Sequence, residues 1–307
     1  MADGAEFEKI RAIWRALGER GTGGGDDCAI VELGGVMVAL SSDMAVEGIH
    51  FRPGWLEPRE LGWRAGAAAL SDLAAVAAEP RGVLVSLAVS PQWPDESVAE
   101  LMVGVGDVAA SVGASVWGGD LVRGDRLVVD VLVAGVVAEP VLRRGARVGD
   151  ELWVTGRLGG PARAIAVWEA GSEPERTARE RFAHPEPRVA AAIWLRDRGA
   201  TALIDLSDGL VQDAGQLAAA SGLCCVIDVD SVPLHCSVAD FETALVSGEE
   251  FELLVALPAA TEPELARRFW DEHALELTRI GDVVSGSGLV LQRQGEPVAP
   301  PPGFSHF

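Results

Sequence analysis

The 307-residue sequence has no tyrosine, four cysteines and one lysine, Lys9. The shortage of lysine excludes the most. A P-loop requires Gly-Lys-Ser/Thr, and a protein kinase requires a lysine on an interior strand. Lys9 instead sits in an N-terminal amphipathic helix pattern, so neither device is present. Any nucleotide phosphates must therefore be held by arginine, backbone amides and metal ions. Basic residues are scarce as a class: 25 Lys+Arg stand against 46 Asp+Glu, for a formal net charge of -21. Nucleic acid and anionic membrane surfaces both require a basic footprint, so neither is expected as a partner. Cys28, Cys224, Cys225 and Cys236 show no Cys-x-x-Cys spacing and two are adjacent, which argues against a zinc site or a disulfide framework. No apolar run reaches the ~18 residues of a membrane span, and MADGAEFEKIRAIW lacks the layout of a signal peptide. A cytoplasmic protein with reduced, buried thiols is expected.

What is present suffices for two domains, each with its own core, since hydrophobic residues make up 49% of the chain. Phe7, Ile10, Ile13, Trp14 and Leu17 keep helical spacing, so a helix is expected over 5–20. Strands at 28–33 and 36–41 flank Gly34-Gly35 as a hairpin. A helix at 59–78 stops before Pro80, followed by a strand at 82–90, a helix at 95–112 and a strand at 126–138. From Gly149 onward, strands are expected at 151–155, 201–205, 224–229, 251–257 and 288–292. Helices are expected near 160–171, 187–198, 209–220 and 261–273. The polar, proline-marked segment GSEPERTARERFAHPEPR (171–188) reads as an exposed connection. The fold class is α+β in α/β layers, with domains at 1–140 and 149–307.

The carboxylates are not spread evenly. Asp26-Asp27 follows three glycines, and Ser41-Ser42-Asp43 closes an apolar strand pattern. Asp72 follows Ser71 in an alanine-rich helix, where a charge is costly unless it is paired or metal-bound. Gly118-Gly119-Asp120 follows another strand, and Asp205-Leu206-Ser207-Asp208-Gly209 turns a strand into a helix. Each has a plain structural reading as a turn or helix cap. Five such groups in one chain point instead to a shared site, because acids brought together repel unless cations neutralise them. Hard oxygen ligands of this kind suit Mg²⁺ with a substrate's phosphates. For a phosphate contact outside these groups, Arg143, Arg144 and Arg147 are equal candidates on sequence alone.

The motifs GDDCAIV, SSDMAVEGIHF, GWRAGAAALSDLAAVAAEP, GGDLVRG, RRGARVGDELWVTG, IDLSDGLVQDAG, SGEEFELLVALP, IGDV and GFSHF run nearly end to end. In content and order they resemble the thiamine-monophosphate kinase family. That family lies within the superfamily of aminoimidazole ribonucleotide synthetase, selenophosphate synthetase and a hydrogenase-maturation protein. The resemblance implies a two-domain aminoimidazole ribonucleotide synthetase-like fold. Its N-terminal halves, each a mixed sheet with helices, would pair through their sheets in a homodimer, and an α+β C-terminal half would complete each active site. It implies ATP-dependent phosphorylation of thiamine monophosphate to thiamine diphosphate by direct Mg²⁺-assisted transfer, using several ions. Carried over by position, the metal ligands are Asp27, Ser41, Ser42, Asp43, Asp72, Asp120, Asp205 and Asp208. Gly119, Asp120, Arg144 and Ser207 would touch ATP; His50, Glu249 and the ring of Phe304 would hold the thiamine moiety. No covalent nucleophile is expected, because the attacking oxygen already belongs to a phosphate.

Two departures bear on substrate choice. The family's Gly-Gly-Glu-Asp-Tyr-Glu-Leu stands here as Ser247-Gly248-Glu249-Glu250-Phe251-Glu252-Leu253, and its terminal tryptophan is Phe304. Both changes are expected to reshape the thiamine pocket. The alternatives are another ATP-dependent enzyme of the superfamily acting on a different phosphorylated substrate, or a non-catalytic nucleotide-binding regulator. Retention of every expected metal acid argues against the regulator. The placement of Cys28 and Cys236 argues against the two cysteine-dependent members.

Overall fold

The computed structural model describes residues 5–21, 24–259 and 264–301. The N-terminal half comprises α1 (Ala5–Leu17), β1 (Ala29–Leu33), β2 (Val36–Val46), α2 (Pro58–Ala75), β3 (Glu79–Val89), α3 (Asp95–Ser111), β4 (Ser115–Arg123) and β5 (Val128–Val136). Its five strands form a sheet of order β1-β2-β5-β3-β4. Every pairing is antiparallel except β3 with β4, whose parallel crossover is made by α3. The hairpin at Gly34-Gly35 forms as the sequence indicated, with Leu33 opposite Val36.

α2 is the central element. Pro58 opens it, where a missing N–H costs nothing. Glu57 and Glu60 form a capping box, the Glu57 amide donating to Glu60 Oε2 at 2.9 Å. Leu61, Leu70 and Leu73 are buried and each contributes about 1.5–3 kcal/mol of hydrophobic stabilisation. Gly62 lets α2 lie against α3, because a Cβ there would come within 1.8 Å of the Leu101 carbonyl oxygen.

The C-terminal half comprises β6 (Asp150–Thr155), α4 (Gly160–Glu169), α5 (Arg176–Ala183), α6 (Val189–Arg196), β7 (Ala202–Asp205), α7 (Leu210–Ser221), β8 (Cys224–Asp228), α8 (Phe241–Val246), β9 (Leu253–Pro258), α9 (Leu265–His273), β10 (Leu277–Val284), β11 (Gly288–Arg293) and β12 (Glu296–Val298). Its seven strands have the order β12-β11-β8-β10-β6-β9-β7. One side packs on α7 and α8, and the other on α6, α9 and the α2 end through Ala74 and Ala77. No helix among the described residues is long and apolar enough to cross a membrane.

Three differences from the sequence reading matter for the site. Ser41-Ser42-Asp43 lies in the interior of β2 rather than at its end, because pairing with β5 continues to Val46 opposite Val128. Gly118-Gly119-Asp120 lies inside β4, where the register shifts between Val83 and Leu84 of β3, leaving Trp117 in a bulge. A Cβ on Gly119 would sit 1.7 Å from the Val85 carbonyl oxygen, so backbone packing alone requires glycine there. The segment 171–188 is not simply an exposed connection: it contains α5, with Ala178, Phe182 and Ala183 buried. Polar composition concealed this helix, whose Phe182 packs edge-on to Trp55 and Trp168.

Candidate active site

Asp27 precedes β1, Asp72 lies on α2 and Asp205 ends β7, yet all three offer carboxylate oxygens within 4.8 Å of one another. Neighbouring groups fix each acid. Ser41 Oγ donates to Asp72 Oδ2 at 2.6 Å, and Ser71 Oγ donates to Asp205 Oδ2 at 2.6 Å. Arg143 donates to both oxygens of Asp27, at 3.0 and 2.5 Å, and also to Gln216 on α7. The cluster is therefore assembled from both halves of the chain and the linker between them.

Its electrostatics are unbalanced. Burial, then Asp205 and Asp27, push the Asp72 carboxyl well above the usual range. Burial, then Asp27, raises Asp205 to about 7, although the Ser71 hydrogen bond opposes the rise. One arginine faces three acids. Hard oxygen donors whose ionisation is opposed by their neighbours are the donor set that Mg²⁺ satisfies, so these residues fit the ion. Cys28 is not a ligand: its thiol donates to the Asp72 carbonyl at 3.2 Å and burial pushes its ionisation up.

The remaining acids spread outward from this centre. Asp43, on β2, accepts from the Met44 amide at 2.7 Å, and desolvation raises its carboxyl. Ser42 Oγ donates to Asp130 Oδ1 at 2.6 Å, which brings in an acid the sequence reading missed. Asp130 lies on β5 opposite Ser86, which also opposes Asp120 on β4. Only the strand pairing reveals that row. Asp208 sits in the turn before α7 and accepts from Gln212 Nε2 at 2.7 Å. The turn is fixed by Asp213, also missed, a buried acid that accepts from the Asp208 and Gly209 amides at 3.1 and 3.0 Å.

Gly119 and Asp120 lie on exposed β4, at the far edge of the sheet from β1, and are not part of the close triad. Arg144 and Ser207 are exposed. Of the three candidate arginines, Arg143 reaches the acids. Phe304 lies outside the described residues.

A cavity of about 530 Å³ lies between the two halves, with Asp43 and Asp208 in its lining along with His50, Trp55, Arg64 and Glu249. His50 Nδ1 accepts from the Val46 amide at 3.1 Å, which places the proton of the neutral ring on Nε2. Trp55 stacks on Trp168, with ring centroids 5.0 Å apart and an 11° interplanar angle. It gives the cavity a flat aromatic wall. No sequence motif marked it.

The altered loop 247–252 divides its acids between two directions. Glu249, at φ +63°, lines the cavity and pairs with Arg64 of α2. Glu250 is fully buried and accepts from the Gly159 amide beside Arg181; burial raises its carboxyl to about 7. Glu252 is also buried and accepts from Arg188 at 2.9 and 2.7 Å and from Thr155 Oγ1 at 2.6 Å. The extra methylene of Glu250 thus falls outside the cavity lining. Of the three changes in this motif, at Ser247, Glu250 and Phe251, the one at Phe251 reaches the cavity wall.

Comparison with known proteins identifies the two halves. Residues 25–137 match the family model "AIR synthase related protein, N-terminal domain", and 147–294 match its C-terminal counterpart. The thiamine-monophosphate kinase of Methanopyrus kandleri is 33% identical over 302 residues, covering 94% of this chain and 92% of its own. The structure of AaThiL complexed with AMPPCP and TMP superposes with a TM-score of 0.87 at 29% identity, covering 99% of this chain and 97% of that one. The thiamine-monophosphate kinase of Stenotrophomonas maltophilia K279a gives a TM-score of 0.80 at 29% identity, covering 97% and 98%. The two AIR synthase-type domains, together with 33% identity to the Methanopyrus kandleri enzyme along 94% of this chain, make it a member of the thiamine-monophosphate kinase family.

Proposed function

We propose that the chain transfers the γ-phosphoryl group of ATP directly to thiamine monophosphate, giving thiamine diphosphate and ADP, with several Mg²⁺ ions, as a homodimer in the cytoplasm. One observation carries the reading: the cavity between the halves is lined both by Asp43 and Asp208, which belong to the acid-bearing motifs, and by the Trp55 ring and the Glu249 carboxylate. Such a cleft suits a substrate that is phosphate at one end and a cationic heteroaromatic at the other.

When bound, Mg²⁺ supplies charge neutralisation for the polyphosphate. The chain's residues do the rest by positioning. Asp27, Asp72 and Asp205 would hold metal, with Ser41, Ser42, Asp43, Asp120 and Asp208 extending the oxygen donors toward the phosphates. Gly119, Asp120, Arg144 and Ser207 would contact ATP, and Arg143 orients Asp27 beside them. His50 and Glu249 would hold the thiamine moiety, with Phe304 as the added stacking surface. A phosphate oxygen of thiamine monophosphate attacks the γ-phosphorus, a P–O bond forms to it, and the bond to the ADP oxygen breaks. The attacking oxygen is already ionised, so no general base or enzyme nucleophile is required.

Dimer formation is supported by the outer face of the N-terminal sheet, where Trp117 is 56% and Leu121 64% exposed, an apolar surface suited to a second copy. A dimer mass by light scattering is expected.

The activity test is a discontinuous assay with thiamine monophosphate, ATP and Mg²⁺, separating thiamine phosphates by chromatography. Thiamine diphosphate and ADP should appear in equal amounts. Product independent of nucleotide, or a trapped phosphoenzyme, would contradict direct transfer.

A further inference from the structure

Arg64 is a buried cation, 4% exposed, on the α2 face that meets the C-terminal half. Its guanidinium centre lies 3.6 Å over the Phe182 ring and 5.8 Å from Phe251, and Nη1 donates to the Phe182 carbonyl. From this seat it forms an ion pair with Oε2 of Glu249, whose side chain keeps 30% of its surface exposed and lines the cavity. The pair engages one oxygen of a two-oxygen acceptor. Burial of a guanidinium in an aromatic niche is costly unless a partner requires it, and here the partner is a proposed substrate residue.

Glu249 is a non-glycine residue in left-handed backbone conformation, a state that persists only where its surroundings over-determine it. Its amide donates to the Ser207 carbonyl at 2.7 Å, and a Cβ at Gly248 would come within 2.8 Å of the same oxygen. The backbone of the loop is thus tied to the Ser207-Asp208 turn, while its carboxylate is aimed from the other side by Arg64.

Arg64, Ala68, Ser71 and Asp72 lie on one face of α2 at helical spacing, with Arg64 and Asp72 roughly 12 Å apart along the axis. We infer that Arg64 is the positioning residue that sets the Glu249 carboxylate for the organic end of the substrate. α2 then acts as a rigid spacer between that carboxylate and the acid cluster. A substrate is accepted when its cationic ring reaches Glu249 while its phosphate reaches the acids.

The inference rests on the proposed function, and the test separates the two. KM for thiamine monophosphate and for ATP are measured separately in wild type, Arg64→Gln, Arg64→Lys, Glu249→Gln and the Arg64→Gln/Glu249→Gln double variant, with thermal melts alongside. Arg64→Gln should raise KM for thiamine monophosphate about tenfold while KM for ATP stays within about twofold. Arg64→Lys, which keeps the charge on a shorter reach, should recover part of the loss. The double variant should be no worse than Glu249→Gln alone, because Arg64 acts through that carboxylate. Additive losses, equal rises in both KM values, or a lowered melting temperature with KM unchanged would reduce Arg64 to a structural tie and overturn the inference. If Arg64→Gln does not fold, the Arg64→Lys/Glu249→Gln cycle gives the same comparison. A wild type that makes no thiamine diphosphate overturns the functional reading and this inference with it.

Discussion

The acid cluster and the wall of the cavity handle charge in opposite ways. At the first, three carboxylates from Asp27, Asp72 and Asp205 share a single arginine, and the ionisation of Asp72 and Asp205 is pushed upward. At the other, Glu249 is matched by Arg64, and behind it Glu252 is matched by Arg181 and Arg188. Unbalanced like charge marks a place completed by an incoming cation; balanced charge marks a place already organised before substrate arrives. The same residue types carry both roles, and only their neighbours distinguish them.

The largest effect should come from removing one unbalanced acid. Asp72→Asn keeps size and shape but removes a charged donor, and turnover should fall about a hundred- to a thousandfold while thiamine monophosphate still binds by calorimetry. Loss of binding with turnover would mean that the two regions are not separable.

The balanced region breaks differently. Glu252→Gln leaves Arg181 and Arg188 without their shared carboxylate, and removing one partner of a buried ion network costs about 3–5 kcal/mol. A thermal melt should show it. Despite burial, which opposes ionisation, Arg188 and Arg181 hold the Glu252 carboxyl below its ordinary 4.5. Its contribution to stability is therefore present above pH 4.5 and lost as pH falls through its lowered folded value. The variant should be less acid-sensitive than wild type across that window.

Arg143→Met removes the group that orients Asp27 without touching the metal donors, and apparent Mg²⁺ affinity should weaken about ten- to a hundredfold. The smallest effect is expected from pH alone. With Asp205 raised to about 7, protons compete with metal below neutrality, so Mg²⁺ affinity should be about tenfold weaker at pH 6 than at pH 8. A flat profile would place the unbalanced charge elsewhere.

Much of this contrast was legible in the sequence, and the limits were physical. Asp72 stood out because an acid inside an apolar helix violates a local expectation, whereas Asp27 and Asp205 each read equally well as a turn or cap and drew notice through the recurrence of such groups along the chain. Their convergence depends on two serines, Ser41 and Ser71, whose hydrogen bonds no spacing rule predicts. Arg143 was indistinguishable from Arg144 and Arg147 because the choice is made by which side chain crosses to Asp27. α5 was hidden by its polar composition, and β10 lacks the uniform apolar run of a buried strand. Trp55 and Arg64 were silent because a tryptophan wall and a helix arginine have ordinary structural readings until the cavity lies between them.

The most direct test of the account compares Mg²⁺-dependent formation of thiamine diphosphate from thiamine monophosphate and ATP in wild type and Asp205→Asn, with thiamine monophosphate binding measured in parallel. Product lost in the variant while the thiamine compound still binds would establish the acid cluster as the cation-completed phosphate site and the cavity wall as the preorganised organic site. Full turnover by Asp205→Asn would contradict it.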